Sequence, residues 1–192
     1  MRQAMDYKEL LENRRSIRKF QEKNVPLEIL KDLIKESTLA PSAGNEQPWK
    51  YIIVNSREML DRMSHESKRS LLERIEGNPN DYAWKYEKLL RNESFDIFYH
   101  APALVMILGE SHLKNLCADS SLAASYLMMG ATARGLGSCW INFATEIRDQ
   151  AMRSELAIPD NCTIVAPIIL GYPEKVPAIP SRREPEVLKI IS

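Results

Sequence analysis

Three short apolar runs constrain this chain most: Tyr51 to Val54, Ala103 to Leu108, and Thr163 to Leu170. Each is rich in Ile, Val and Leu, is too short for a stable helix, and reads as a buried strand. The stretches between them are far longer and carry helical spacing. Met5 to Asn13 places Tyr7, Leu10 and Leu11 on one face, and Pro26 opens a stripe of Leu27, Leu30, Leu33 and Ile34. Ser56 is placed to cap a helix carrying Leu60 and Met63. Asp119 or Ser120 is placed to cap another through Leu122, Tyr126 and Met129 to Gly135, and Thr145 to Leu156 reads as a further helix. Gly137 to Ile141 leads into a fourth strand. Widely spaced strands separated by long helices imply a layered α/β or α+β fold, and 192 residues fit one domain.

Charge and cysteine content narrow the function classes. Lys plus Arg and Asp plus Glu both number 26, so the net charge is zero. Nothing draws such a chain to nucleic acid or to an acidic membrane, and any grip on an anion must be local. Cys117, Cys139 and Cys162 are odd in number with no CxxC pair, which fits a reducing cytosol rather than a disulfide framework or a zinc site. The charged start (Arg2, Asp6, Lys8, Glu9) is unlike a secretory leader, and the apolar-rich stretch from Ser121 to Ala133 is too short to span a bilayer. A cytoplasmic protein is expected.

Residues 64–98 have a different texture, with many charges, a turn at Gly77-Asn78-Pro79-Asn80, and Tyr82, Trp84 and Tyr86. They read as a helical excursion over the core, serving as a lid or a partner-facing segment. The tail from Tyr172 carries Pro173, Pro177, Pro180 and Pro185, so it is expected to be extended and to wrap a partner subunit. A second copy would also cover the small-residue face of Ala123, Ala124, Ser125, Gly130 and Ala131.

Four segments hold residues suited to chemistry. Arg14, Arg15 and Arg18 flank the hydroxyl of Ser16, and guanidinium groups match the oxygens of a phosphate monoester. If the stretch is extended, Arg14, Ser16 and Arg18 point one way; on charge pattern alone, a solvated turn balanced by Glu9, Glu12 and Glu22 is the simpler reading. Pro41-Ser42-Ala43-Gly44-Asn45-Glu46-Gln47-Pro48-Trp49 offers small and amide residues to a flat ligand, or is a plain loop anchored by Trp49. Gly135 to Asn142 runs from helix to strand, the reverse of a dinucleotide-binding loop, so its glycines read as a helix stop; whether N–H groups near Ile141 and Asn142 face a ligand stays open. Arg182-Arg183 is a charged pair within possible reach of the same anion as Arg14. Cys139 reads as a buried structural thiol, and His65, His100 and His112 lack metal-ligand spacing.

Taken in order, Arg14 to Phe20, Ala40 to Trp49, Gly135 to Ile141 and the arginine near the C-terminus resemble the nitroreductase family of FMN-dependent enzymes. The resemblance implies an α+β fold with a mixed central sheet flanked by helices, and an intertwined homodimer with two FMN sites at its interface. It implies that Arg14, Ser16 and Arg18 hold the phosphate and ribityl chain, with Arg15 near the ring edge and Arg182 and Arg183 joining from the tail. Pro41, Ser42 and Asn45 would approach from the other subunit, and the backbone of Trp140, Ile141 and Asn142 would lie against the ring. Asn142-Phe143 stands where family members often carry a glycine pair. The implied activity is a ping-pong oxidoreduction from NADH or NADPH to a small electron-poor acceptor such as a nitroaromatic or a quinone. In that scheme the chemistry belongs to the flavin and no protein acid or base is demanded. Reductive dehalogenation, flavin fragmentation, or flavin storage without turnover are the alternatives.

Overall fold

The computed structural model describes residues 5–192. Residues 1–4, and with them part of the charged start, lie outside that range. Four strands pair in the order β1-β2-β4-β3: β1 is Lys50–Val54, β2 Ala103–Glu110, β3 Gly137–Trp140 and β4 Cys162–Gly171. All three pairings are antiparallel. Among the described residues the mixed character of the sheet comes down to one isolated parallel bridge, Ser16 to Ser138.

β2 is apolar throughout because both of its faces are covered. Leu104, Met106 and Leu108 face Leu60 and Met63 of α3 (Arg57–Glu76). Ala103, Val105 and Ile107 face Leu30 and Leu33 of α2 (Leu27–Ser37) and Ala123, Ala124, Leu127 and Ala131 of α5 (Leu116–Ala133). The result is an α+β fold of helix, sheet and helix layers.

The structure corrects three element boundaries. α5 begins at Leu116 with no side-chain cap, so Asp119 and Ser120 lie inside the helix and are buried. Its small residues Ala123, Ala124 and Ala131 pack on the chain's own sheet, and the exposed face carries Leu122 and Tyr126 instead. Ser56 does cap α3, accepting from the Met59 N–H at 3.3 Å, but that helix continues to Glu76. Buried Ser64, Glu66, Ser67, Lys68 and Ser70 break the apolar stripe that would have announced its length.

The excursion proper is therefore residues 77–99, with a 3-10 turn at Tyr82–Tyr86 and α4 at Glu87–Leu90. It is tied down from below. Lys68 Nζ donates to the carbonyls of Asn92 (3.0 Å) and Phe95 (2.8 Å), and Ser64 Oγ accepts from the Ile97 N–H (3.1 Å). The helix expected over 145–156 shortens to α6 (Gln150–Glu155), where Asp149 caps by accepting from Met152 N–H at 2.7 Å. A 3-10 turn, Asn142–Thr145, fills the gap. After Pro173 the tail has no regular structure, and from Glu174 onward it is exposed.

Candidate functional site

α1 (Tyr7–Asn13) starts at a capping box, with Asp6 accepting the Glu9 N–H at 2.8 Å, and ends where Arg14 turns extended. The chain then runs beside β3, and Ile17 N–H donates to Ser138 O at 3.0 Å. Gly137 makes this approach possible, since a Cβ there would stand 2.6 Å from Ile17. Side chains of an extended segment alternate. Arg15 and Ile17 turn inward at 8% and 3% exposure, while Arg14, Ser16 and Arg18 turn outward.

The same three residues bear on the Cys139 thiol of β3. Burial pushes Cys139 up, and Arg18, Ser16 and Arg14 all pull it back down. Among the described residues neither Arg14 nor Arg18 has a carboxylate partner. Two guanidinium groups without a carboxylate partner thus flank a hydroxyl, a donor set whose chemistry suits an anion, in a chain of zero net charge. Arg15 faces the other way. Its guanidinium donates to the carbonyls of Glu12 and Arg14, closing the C-terminus of α1.

The Pro41 to Trp49 loop carries a 3-10 turn, Ala43–Asn45, and three left-handed residues: Gly44 (φ 58°), Asn45 (φ 57°) and Gln47 (φ 49°). Ser42 Oγ accepts from the Gln47 N–H at 3.0 Å, and Gln47 Nε2 donates to Asn45 Oδ1 at 3.2 Å, so the Gln47 amide serves the loop itself. Asp119 Oδ1 accepts from the Ala43 N–H at 3.1 Å. Pro41 and Asn45 are exposed, Ser42 is half-buried, and Trp49 is buried in the core. Gly109 lets the loop pack against the start of α5, since a Cβ there would lie 2.7 Å from Pro48 O.

This loop and the arginine strand occupy opposite ends of α5. That helix holds the loop at Asp119 and borders Arg15 and Ile17 at Thr132, which at 1.5 Å per residue lie about 20 Å apart. The two segments do not converge within one chain. Nor do Arg182 and Arg183, which are exposed in the tail and make no hydrogen bond or ion pair among the described residues.

Beside Arg18 opens a cavity of about 310 Å³ that Trp140, Ile141 and Asn142 also line. Its remaining wall is Phe143 together with Tyr82, Tyr86, Leu89 and Tyr99 from the excursion. Tyr86 meets Phe143 edge-on at 5.2 Å, Asn142 Nδ2 donates to Tyr82 Oη at 3.0 Å, and Arg18 lies 5.7 Å from the centre of the Tyr99 ring. The Ile141 N–H is taken by Pro167 O at 2.8 Å, so it is not free for a ligand.

Tyr99 and His100 both have left-handed backbones (φ 53° and 55°). Asp96 holds them there, accepting from the N–H groups of Phe98 (2.9 Å) and His100 (2.8 Å) and from Arg57 (2.8 Å). Burial would push the Asp96 carboxyl up, but these donors keep it below the usual carboxylate range. Tyr82 and Tyr86 of this wall stand out in the sequence as aromatics in a charged, lid-like stretch, whereas Leu89, Tyr99 and Phe143 carry no such signal. Among the described residues no cluster of three metal-ligating side chains occurs, and no helix is long and apolar enough to cross a membrane.

Comparison with known proteins bears on the same residues. The Nitroreductase family model matches residues 11–172. An Archaeoglobus fulgidus protein provisionally named NADH dehydrogenase/NAD(P)H nitroreductase is 30% identical, over 86% of this chain and 84% of its own. An iodotyrosine deiodinase of Thermotoga neapolitana is 28% identical, over 68% of this chain and 70% of its own. In structure, a Bacteroides fragilis nitroreductase with bound FMN superposes with a TM-score of 0.80 at 22% identity, covering 96% of this chain and 97% of that one. The matched range spans the arginine strand, the Pro41 loop and the β3 segment, and the chain belongs to the nitroreductase family.

Proposed function

We propose that this chain is an FMN-dependent oxidoreductase that takes electrons from NADH or NADPH and delivers them to an electron-poor acceptor of the nitroaromatic or quinone kind. The observation that carries this reading is the outward face of Arg14, Ser16 and Arg18, whose arginines have no carboxylate partner among the described residues and which opens through Arg18 onto an aromatic-walled cavity. Bound FMN would supply the two-electron chemistry. Arg14, Ser16 and Arg18 would hold its phosphate and ribityl chain, and Trp140, Ile141 and Asn142 would flank its ring. Tyr82, Tyr86 and Tyr99 would stack against a planar acceptor and keep water from it.

The active unit is a homodimer. The Pro41, Ser42 and Asn45 loop stands most of the length of α5 away from the arginine strand, so the loop of one copy meets the arginines of another. The extended tail would bring Arg182 and Arg183 to the same site. Exposed Leu122 and Tyr126 on α5, and Tyr7 and Leu11 on α1, supply apolar surface for the contact.

A second reading keeps the cofactor and changes the acceptor. The relative named iodotyrosine deiodinase favours reductive dehalogenation of a halogenated phenol, which the same aromatic walls would accommodate. Anaerobic addition of NADH or NADPH to the FMN-loaded protein is expected to bleach the flavin. Reoxidation by nitrobenzene supports the nitroreductase reading, whereas iodide release from 3-iodotyrosine with no nitrobenzene turnover would replace it. A protein that takes up no FMN would sink both.

A further inference from the structure

We propose that Asp119 is the positioning residue for the flavin-facing loop, an assignment that rests on the flavin reading above. Asp119 is 4% exposed, with Oδ1 accepting from the Ala43 N–H at 3.1 Å and Oδ2 buried without a partner among the described residues. A buried carboxylate on so few donors is costly, and an apolar side chain would serve packing on the sheet better. The loop it holds is strained. Asn45 and Gln47 are non-glycine residues in the left-handed region, a conformation that persists only where the surroundings over-determine it. The loop's other side-chain bonds, Ser42 to Gln47 and Gln47 to Asn45, are internal. Among the described residues Asp119 is the one side chain outside the loop that hydrogen-bonds it. Ala43 lies between Ser42 and Asn45, so moving Ala43 moves both of the groups placed to meet the ring.

The test is a titration of FMN into apo-protein for wild type, D119A, D119N, A43P and the double variant D119A/A43P, with the Tm of each apo-protein and the visible circular dichroism of each bound flavin. A43P deletes the same hydrogen bond from the loop side, at a helical first position that proline tolerates. D119A and A43P are each expected to raise the FMN Kd by roughly ten-fold or more and to alter the flavin dichroism, as loss of a charge-assisted hydrogen bond implies. D119N keeps an oxygen toward Ala43 and is expected to stay within about three-fold of wild type. The double variant is expected to bind no more weakly than the worse single one, because both remove one bond. D119A binding FMN like wild type, or effects of D119A and A43P that simply add, would overturn the assignment while the flavin reading stands. If D119A does not fold, A43P and D119N decide the matter by the same criteria. Wild type that binds no FMN overturns the flavin reading itself.

Discussion

Arg14 and Arg15 are adjacent and chemically identical, yet the structure gives them opposite surroundings. Arg14 faces outward with Ser16 and Arg18, while Arg15 is buried against the carbonyls that end α1. Their alanine and methionine variants should therefore separate. Arg14→Ala is expected to weaken FMN binding by about 1.5–3 kcal/mol, roughly ten- to a hundred-fold in Kd, with the apo Tm little changed. Arg15→Met is expected to lower the apo Tm and leave the FMN Kd near wild type. Calorimetric titration and thermal unfolding of both variants check this, and an Arg15→Met defect confined to FMN binding would return Arg15 to the site. The separation arises from a two-residue period in an extended segment, which Gly137 permits by leaving room for Ile17.

At the scale of elements, buried polar groups of α3 hold the cavity wall together. Glu66 accepts from the N–H groups of Arg148 (3.2 Å) and Asp149 (2.9 Å) and from Ser70 Oγ (2.9 Å), linking α3 to the segment that follows the cavity-lining Asn142 and Phe143. Burial would push the Glu66 carboxyl up, but Arg69, these N–H groups and Ser70 hold it below the usual range. Asp96 is depressed in the same sense. A carboxyl depressed in the folded state stabilises the fold above its unfolded pKa, and that contribution is lost as pH falls through the folded value. The urea midpoint is therefore expected to be level from neutrality down to about pH 5 and to fall below about pH 4, given unfolded values of about 3.9 for Asp and 4.3 for Glu. Asp96→Asn should lower the midpoint at pH 7 and flatten the acid decline. A decline as steep as in wild type would show that Asp96 does not contribute to it.

For the whole molecule, the decisive feature is that the two halves of the candidate site lie at opposite ends of α5. One copy offers arginines without a loop, and a loop without arginines. Leu122 and Tyr126, 42% and 44% exposed on the outer face of α5, and the tail residues Leu188, Ile190 and Ile191 leave apolar surface open to a second copy. The double variant Leu122→Asp/Tyr126→Asp is expected to run as a monomer in light scattering and to lose FMN affinity with the fold intact by circular dichroism. A monomer that binds FMN like wild type would refute a shared site.

Much of this architecture is legible in the residues themselves. The three apolar runs became strands because an aliphatic run between turns has few other stable places, and Pro26 and Ser56 mark helix starts through local backbone chemistry. The order of Arg14 to Phe20, Ala40 to Trp49 and Gly135 to Ile141 is enough to indicate the family. Local pattern failed where distant segments supply the partner. Lys68 and Glu66 sit mid-helix because carbonyls at Asn92 and Phe95 and N–H groups at Arg148 and Asp149 satisfy them, which no spacing rule within α3 reveals. Asp119 has the sequence context of a helix cap and is a buried tie to Ala43, 76 residues away. Sequence alone determined the strands, the main helix starts and the clustering of arginines around Ser16, because those follow from a residue and its near neighbours. The aim of Arg15, the aromatic wall and the separation of the two half-sites were decided by tertiary packing, because each depends on which surfaces meet across the fold.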